Sequence, residues 1–99
     1  MDLTALDWIM LHADQARDLL ASHGLQRPRV VGWAGAGSWA PSGVPAEIEV
    51  DLPEVTDLTG GDLARLGREL SELVGVEIVV WASPPGESRV LPGERVRYL

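Results

Sequence analysis

Apolar residues recur every three to four positions in two segments, a spacing that predicts two amphipathic helices. Thr4 with Asp7, and Thr59 with Asp62, supply capping residues at the two starts. Gly24 and Gly75 follow the segments as natural helix stops. The first helix is predicted over residues 4–23, and the second follows a loop over 54–61 and runs to about Val74. Their apolar stripes are Leu6, Ile9, Met10, Ala13, Ala16, Leu19 and Leu20, then Leu63, Leu66, Leu70 and Leu73.

Strand patterns occur at three places between and after these helices. A short apolar run over 30–33 follows Arg27-Pro28-Arg29, and residues 47–52 alternate carboxylates with apolar side chains. The nearly continuous apolar run over 76–82 predicts a central strand covered on both faces. Residues 32–45 are rich in glycine and proline, which predicts a loop with unusual backbone angles. The last dozen residues are compatible with a turn and a short edge strand, VRYL.

This order of elements predicts an α/β (α+β) fold, with a small mixed sheet of three to four strands packed by two main helices. The 99 residues fit a single domain spanning 1–99. With 45% apolar and 23% charged residues, the composition is that of a globular protein. No apolar run reaches the ~20 residues of a membrane span, so no membrane partner is expected.

Charge and cysteine content narrow the expected environment and partners. The net charge of −7 argues against direct, sequence-independent binding of nucleic acid, because phosphate would be repelled. The absence of cysteine excludes disulfides and thiolate metal sites, and it fits a cytoplasmic protein. A basic protein is the partner class that an acidic surface suits best.

The acidic strand is the principal candidate for chemistry. Glu47, Glu49 and Asp51 fall on one face, because successive side chains of a strand point to opposite sides. The row could bind a metal ion, or it could be the solvated face of a half-exposed strand, which is the more common role for carboxylates in a row. The same choice applies to Glu77 at the start of the third strand.

Tryptophans supply the candidates for contact with another protein. Trp8 lies off the main stripe of the first helix together with Leu11, so the pair either widens the buried face or contacts another chain. Trp39 lies in the polar Pro/Gly loop, where it either packs on the sheet or serves as an exposed anchor.

The order helix, strand, glycine-rich turn, acidic strand, helix and strand resembles the minimal nucleotidyltransferase family. This is the small branch of the polymerase-beta-like superfamily, whose members often act as antitoxins beside a HEPN-domain toxin. The resemblance covers almost the whole chain. Its strongest parts are IEVDLPEVTDL, LARLGRELSELVGVEIVV and the approach HGLQRPRVVGW. It implies a nucleotidyltransferase-like fold and a protein partner, either a HEPN-like toxin or a further copy of the chain.

Family members carry Gly-Ser after the first strand, a second glycine, Asp-x-Asp on the second strand and a third aspartate on the last. These groups hold a nucleoside triphosphate and two Mg²⁺ ions. Counted from the first helix, Gly32 matches the motif glycine, Trp33 replaces the serine and Gly37 matches the second glycine. Glu77 takes the place of the third aspartate.

The register of the paired aspartates stays open. Counted back from Asp51-Leu52-Pro53, Pro45 and Glu47 take their places, whereas a shift by two residues selects Glu47 and Glu49. A third register takes Gly37-Ser38 as the Gly-Ser pair, with Glu49 and Asp51 as the carboxylates. Every register uses the same face of the strand, because the shifts are all by two residues.

The substitutions predict a degenerate site. Mg²⁺ requires oxygen ligands at about 2.0–2.1 Å. The extra methylene of glutamate moves the carboxylate by more than about 1 Å, which is enough to lose most of the catalytic rate. The expected function is therefore that of an antitoxin-like or regulatory binding partner without a cofactor. The alternative is an active enzyme that binds Mg²⁺ through Glu47, Glu49, Asp51 and Glu77, holds ATP at Gly32, Gly37 and Ser38, and moves a nucleoside monophosphate onto a partner protein.

Overall fold

The computed structural model describes residues 3–38, 43–84, 87, 90, 93 and 95–99. Strands β1 to β4 form one mixed sheet in the order β3-β2-β1-β4. Strand β1 is antiparallel to both β2 and β4, whereas β2 and β3 are parallel. The mixed α/β class and the predicted sheet size are confirmed. In chain order the elements are α1 Ala5–Leu11, α2 Ala13–Ala21, β1 Gln26–Val31, α3 Gly32–Gly35, β2 Ala46–Asp51, α4 Gly60–Val74, β3 Ile78–Ser83 and β4 Arg97–Tyr98.

The helices pack on one face of the sheet and form the core with it. The predicted stripes lie on this side: Ile9, Ala16, Leu20 and Leu70 are fully buried, and Leu66 is nearly so. They pack against the alternate strand residues Val30, Ile48, Val50, Ile78 and Val80. In the described part of the chain, no helix combines the length and apolar character needed to cross a membrane.

The first predicted helix is divided in two at His12, so the prediction of one continuous helix is wrong. His12 has φ −111° and ψ 19°, outside helical geometry. Its side-chain Nδ1 donates to the Trp8 carbonyl at 3.0 Å, the acceptor that the His12 amide would use in a continuous helix. The His12 amide donates instead to the Ile9 carbonyl at 3.1 Å. A side chain that replaces a ladder hydrogen bond therefore ends α1 here.

The two predicted capping boxes are present. Thr4 and Asp7 exchange side chain–backbone hydrogen bonds of 2.9 and 3.1 Å at the start of α1. Thr59 and Asp62 do the same at 2.9 and 3.2 Å for α4. The backbone amide and hydroxyl of Thr59 lower the pKa of the Asp62 carboxyl. Gly75 ends α4 with φ +89°.

Two strand predictions need correction. The first strand runs over Gln26–Val31, and Gly32–Gly35 forms a short helical turn rather than a strand end or loop. Strand β3 lies at the edge of the sheet rather than in its centre. Its apolar run arises because Ile78 and Val80 pack on the core while Trp81, on the opposite face, is only partly covered. Helix α4 crosses from β2 to the parallel β3, and the chain then returns to the far edge as β4.

Helix α4 approaches β3 closely at Gly67, which yields a stability prediction. A β-carbon there would lie 3.1 Å from the Ile78 carbonyl oxygen, a backbone atom that cannot move aside cheaply. Gly67→Ala should therefore cost about 1–2 kcal/mol of unfolding free energy, although alanine usually favours a helix interior. Gly60→Ala is the matched control in the same helix, because no atom lies within 4 Å of its β-carbon position.

Urea denaturation of the two variants and of the parent chain measures this difference. We expect Gly60→Ala to be neutral or slightly stabilising, by up to about 1 kcal/mol. A Gly67→Ala variant that gains as much stability as Gly60→Ala would show that α4 is not held against β3 in this way.

Candidate functional site

The predicted acidic face exists, but most of it is buried. Ile48 and Val50 point into the core, so Glu47, Glu49 and Asp51 share the opposite face of β2. Glu49 is 1% exposed and Asp51 is 6% exposed. The interpretation of the row as a solvated strand face is therefore wrong for both residues. A buried carboxylate requires a counter-charge or hydrogen-bond donors.

Arg29 of β1 supplies both. Its Nε donates to Glu49 Oε1 at 3.0 Å, and one terminal nitrogen, Nη2, also contacts that oxygen. Its other terminal nitrogen, Nη1, donates to Asp51 Oδ1 at 2.8 Å. One guanidinium thus binds two carboxylates on the neighbouring strand, and Arg29 is itself only 4% exposed. We call Arg29, Glu49 and Asp51 the buried charge cluster.

A local irregularity of β1 places the guanidinium. Gln26 pairs with Asp51 and Arg29 pairs with Glu49, so β1 carries one extra residue between these pairs. Arg27, within the bulge, has φ +51°, an uncommon value for a residue other than glycine. The Arg27 carbonyl accepts a further hydrogen bond from Arg29 Nη1 at 2.9 Å. The bulge therefore contributes directly to holding the arginine beneath both acids.

The cluster keeps Arg29 charged. Burial by itself lowers the pKa of the guanidinium, but hydrogen bonds to Glu49 and Asp51 and their negative charges outweigh burial and raise it. Two carboxylates and one guanidinium leave one formal negative charge. Arg27 Nε lies 3.8 Å from Asp51 Oδ2, and this largely exposed side chain partly offsets that charge.

A cavity of about 350 Å³ lies over the buried charge cluster. Its lining includes Arg29 and Asp51 together with Arg27 and Tyr98, and Arg27 sits 5.7 Å above the Tyr98 ring. Glu87, Val90 and Val96 close it from the side of the C-terminal segment, which passes from β3 towards β4. These three described residues, and no residue of a helix, border the cavity on that side.

Glu47 lies apart from the buried charge cluster. Its Oε1 accepts a hydrogen bond of 3.2 Å from the Trp81 indole nitrogen on β3. A β-carbon on Gly32 would lie 3.0 Å from its Oε2, so the carboxylate sits directly against the start of the glycine-rich turn. Glu47 therefore places a negative charge where the resemblance implies a phosphate group.

The remaining residues of the predicted phosphate site, Gly37 and Ser38, follow Gly32 in the glycine-rich turn. Gly32 and Gly37 have φ +64° and +74°, so the expectation of unusual backbone angles is confirmed at both positions. Ser38 is exposed, and its amide donates to the Trp33 carbonyl at 3.0 Å. Trp33, in the position of the family's serine, offers no hydroxyl.

Glu77 does not converge with the acids of β2. It is exposed and precedes β3, whose first residue Ile78 pairs with Ala46. Glu77 is therefore level with Pro45, four residues from the level of Glu49, which corresponds to about 13 Å along the strand. Within the described ranges, no group of three or more His, Asp or Glu side chains is arranged to hold a metal ion.

These residues do not fit the two Mg²⁺ ions that the resemblance implies. Metal ligands must present free oxygen atoms to the ion, but Glu49 and Asp51 direct oxygens at the Arg29 guanidinium. Glu47 binds an indole, and Glu77 lies at the far end of the face. The guanidinium occupies the place of a cation between the carboxylates, so the chain supplies its own counter-charge.

The predicted partner-contacting residues have different outcomes. Trp8 is 42% exposed and Leu11 is 66% exposed, so they do not widen the buried face of the helix. Leu3 and Trp8 flank the N-cap in the positions of a hydrophobic staple, and Trp8 and Leu11 are three residues apart on α1. We call Leu3, Trp8 and Leu11 the α1 patch. Trp39 lies in residues 39–42, outside the described part of the chain.

Comparisons with known protein families, with curated proteins and with solved structures found no match to this chain. The site must therefore be interpreted from its own geometry.

Sequence reasoning missed Arg29, the residue that decides the chemistry of the site. The available signal was the spacing: Arg27 and Arg29 are two residues apart just before the strand predicted over 30–33, as Glu49 and Asp51 are on the next strand. Residues so spaced share one face of a strand. Opposite charges on the matching faces of two neighbouring antiparallel strands can pair.

The buried charge cluster makes a strong stability prediction. Arg29→Met leaves Glu49 and Asp51 buried without their cation and should cost about 3–5 kcal/mol of unfolding free energy. Arg27→Met is the matched control, because its largely exposed side chain contributes less than about 1 kcal/mol. Combining Arg29→Met with Glu49→Leu and Asp51→Asn should restore most of the loss, since the stranded charges are then gone.

Chemical denaturation followed by circular dichroism measures all three variants. Similar midpoints for Arg29→Met and Arg27→Met would mean that the cluster is not desolvated in solution.

Proposed function

We propose that this protein is a non-catalytic binding module with a nucleotidyltransferase-like scaffold, acting as an antitoxin-like or regulatory partner of a second protein. The resemblance points to a HEPN-type toxin as that partner. One observation carries the non-catalytic part: the buried Arg29 guanidinium binds Glu49 and Asp51, the carboxylates nearest to a metal-binding pair. Without them the site lacks the oxygen ligands for metal-assisted transfer of a nucleotide.

The element order and strand directions support the scaffold. An antiparallel β1–β2 pair is followed by a helical crossover to β3, which adds parallel to β2 beside the acidic strand. This arrangement suits a chain that retains such a fold and uses its surface rather than its former site.

The α1 patch supports the binding role. Leu3, Trp8 and Leu11 are 41%, 42% and 66% exposed, on α1 and just before its N-cap. Exposed tryptophan beside aliphatic side chains is typical of binding hot spots. Asp7 is also exposed on α1, and the chain carries a net charge of −7. A basic protein with an apolar pocket would complement this surface.

The α1 patch yields a binding prediction. Trp8→Ala should weaken the complex with a HEPN-type protein encoded beside this chain by about 30-fold or more, the value of a hot spot of about 2 kcal/mol. Isothermal titration calorimetry with the purified pair measures the dissociation constant. Val55→Ala is the control, because Val55 is 88% exposed and lies away from α1, and it should change affinity by less than about twofold.

Thermal unfolding of both variants verifies that the fold is retained, as expected for exposed side chains. Equal affinities of the Trp8→Ala and Val55→Ala variants for the partner would show that α1 is not part of the interface. If the parent chain does not bind the HEPN-type protein, that class of partner is excluded.

The non-catalytic part has a separate test with Mg²⁺ and ATP. The parent chain should show no shift of its thermal midpoint, whereas a site filled at 100 times its dissociation constant would stabilise it by about 2.7 kcal/mol. Mass spectrometry after incubation of the chain and partner with Mg²⁺ and each nucleoside triphosphate should show no added nucleoside monophosphate. Such an adduct on the partner would establish catalysis and overturn the proposal.

A further inference from the structure

Along β3, the backbone N–H and C=O groups point alternately towards β2 and away from the sheet. In a parallel ladder, every second residue directs its N–H and C=O towards the same neighbouring strand. The Ala46 amide donates to the Glu77 carbonyl, and the Leu52 amide to the Ser83 carbonyl, each at 2.8 Å. These two bonds and the register assign the odd-numbered residues to β2. The residues whose backbone groups point away from the sheet are Ile78, Val80 and Ala82.

Helix α4 already uses the first of these positions. The Ser71 hydroxyl oxygen accepts a hydrogen bond of 2.8 Å from the Ile78 amide and lies 3.3 Å from the Ile78 carbonyl oxygen. The open part of the edge is therefore short. Among the described residues, no strand pairs with the outward groups of Val80 and Ala82, which stand on either side of Trp81.

In the described part of the chain, this edge lacks three of the usual protections against pairing. Residues 78–82 contain no charge and no proline, and their pairing with β2 has no bulge. A largely apolar groove of about 500 Å³ runs along the edge between β3 and the α4 residues Leu63, Ala64 and Gly67. Its two charged lining residues, Arg68 and Glu77, are of opposite sign, so the groove presents no net charge to a copy of itself.

We propose that the β3 edge pairs antiparallel with the β3 edge of a second copy of this chain, about a two-fold axis at Trp81. Val80 of each copy then lies opposite Ala82 of the other, and the two pairs exchange four backbone hydrogen bonds. The two Trp81 residues face each other as the close, non-hydrogen-bonded pair. The result is a continuous eight-stranded sheet with the grooves filled by side chains of the opposite copy.

Symmetry is the reason for choosing a second copy. Val80 and Ala82 direct their N–H and C=O outward on either side of Trp81. A rotation by 180° about Trp81 exchanges these two positions, so the same pattern faces an antiparallel copy. Each donor of one copy therefore meets an acceptor of the other, as an interface with two-fold symmetry requires. The strand brings only neutral side chains together, so no like charges oppose each other across the hydrogen-bonded pairs. This association is independent of the α1 patch and of the proposed function.

Disulfide trapping tests the register, because the chain has no cysteine of its own. In Trp81→Cys, the two Cα atoms across the axis would be about 4.5–5.5 Å apart, within disulfide range. Mild oxidation should convert most of this variant to a covalent dimer. Val55→Cys, in an exposed loop, is the control and should remain mostly monomeric. Equal rates of cross-linking in the two variants would overturn the proposed register.

Two measurements avoid substitutions at the axis. Sedimentation equilibrium of the parent chain should give twice the chain mass. Ala82→Pro should raise the dissociation constant of the dimer at least tenfold. Proline removes only an outward donor there, and Ala82→Ser, which keeps the N–H, should stay dimeric. In hydrogen exchange of the parent chain, the Val80 and Ala82 amides should become protected as concentration rises.

The proposal is overturned by a parent chain that stays monomeric up to about 1 mM, a range that covers weak self-association. It is also overturned by a dimer whose Val80 and Ala82 amides exchange freely. The hydrogen-exchange result decides the question if Ala82→Pro does not fold.

Discussion

The desolvated guanidinium of Arg29 is the feature on which the polar half of this structure depends. A carboxylate that is 1% exposed cannot stay ionised without a nearby cation or several donors, and Arg29 is both for Glu49. Asp51 depends on the same side chain. Removing the arginine would leave two carboxylates unpaired in a low-dielectric environment. In an exposed ion pair, by contrast, the remaining charge would be hydrated by water.

The same interaction explains how the molecule can bury both faces of its sheet. Helices cover the face formed by Ile48 and Val50, as their apolar stripes require. The opposite face carries Glu49 and Asp51, which are buried there together with the guanidinium that balances their charge. Since Arg29 must lie beneath both acids, a shift of β1 by one residue would turn the guanidinium to the wrong side. The cluster therefore also helps to specify the pairing of β1 with β2.

The surfaces left for other molecules are separate from this face. The α1 patch combines Trp8 with two leucines on and beside α1, whereas the β3 edge offers backbone groups and an apolar groove. An aromatic patch favours a folded partner with a pocket, and an open strand edge favours another strand. The two proposed associations therefore use different elements of the chain.

The sequence by itself determined the local features: both capping boxes, the apolar stripes, the acidic strand and the glycine stop after Val74. Each depends on residues a few positions apart, so periodicity and side-chain chemistry suffice to predict it. It did not predict the break at His12, because one side chain there takes a carbonyl that the helix would otherwise use. Tertiary structure alone decided that β3 is an edge and that the acids are neutralised, because both depend on which strands become neighbours. Arg29 and Glu49 are 20 residues apart in sequence, and only the antiparallel pairing of β1 with β2 brings their charges into contact.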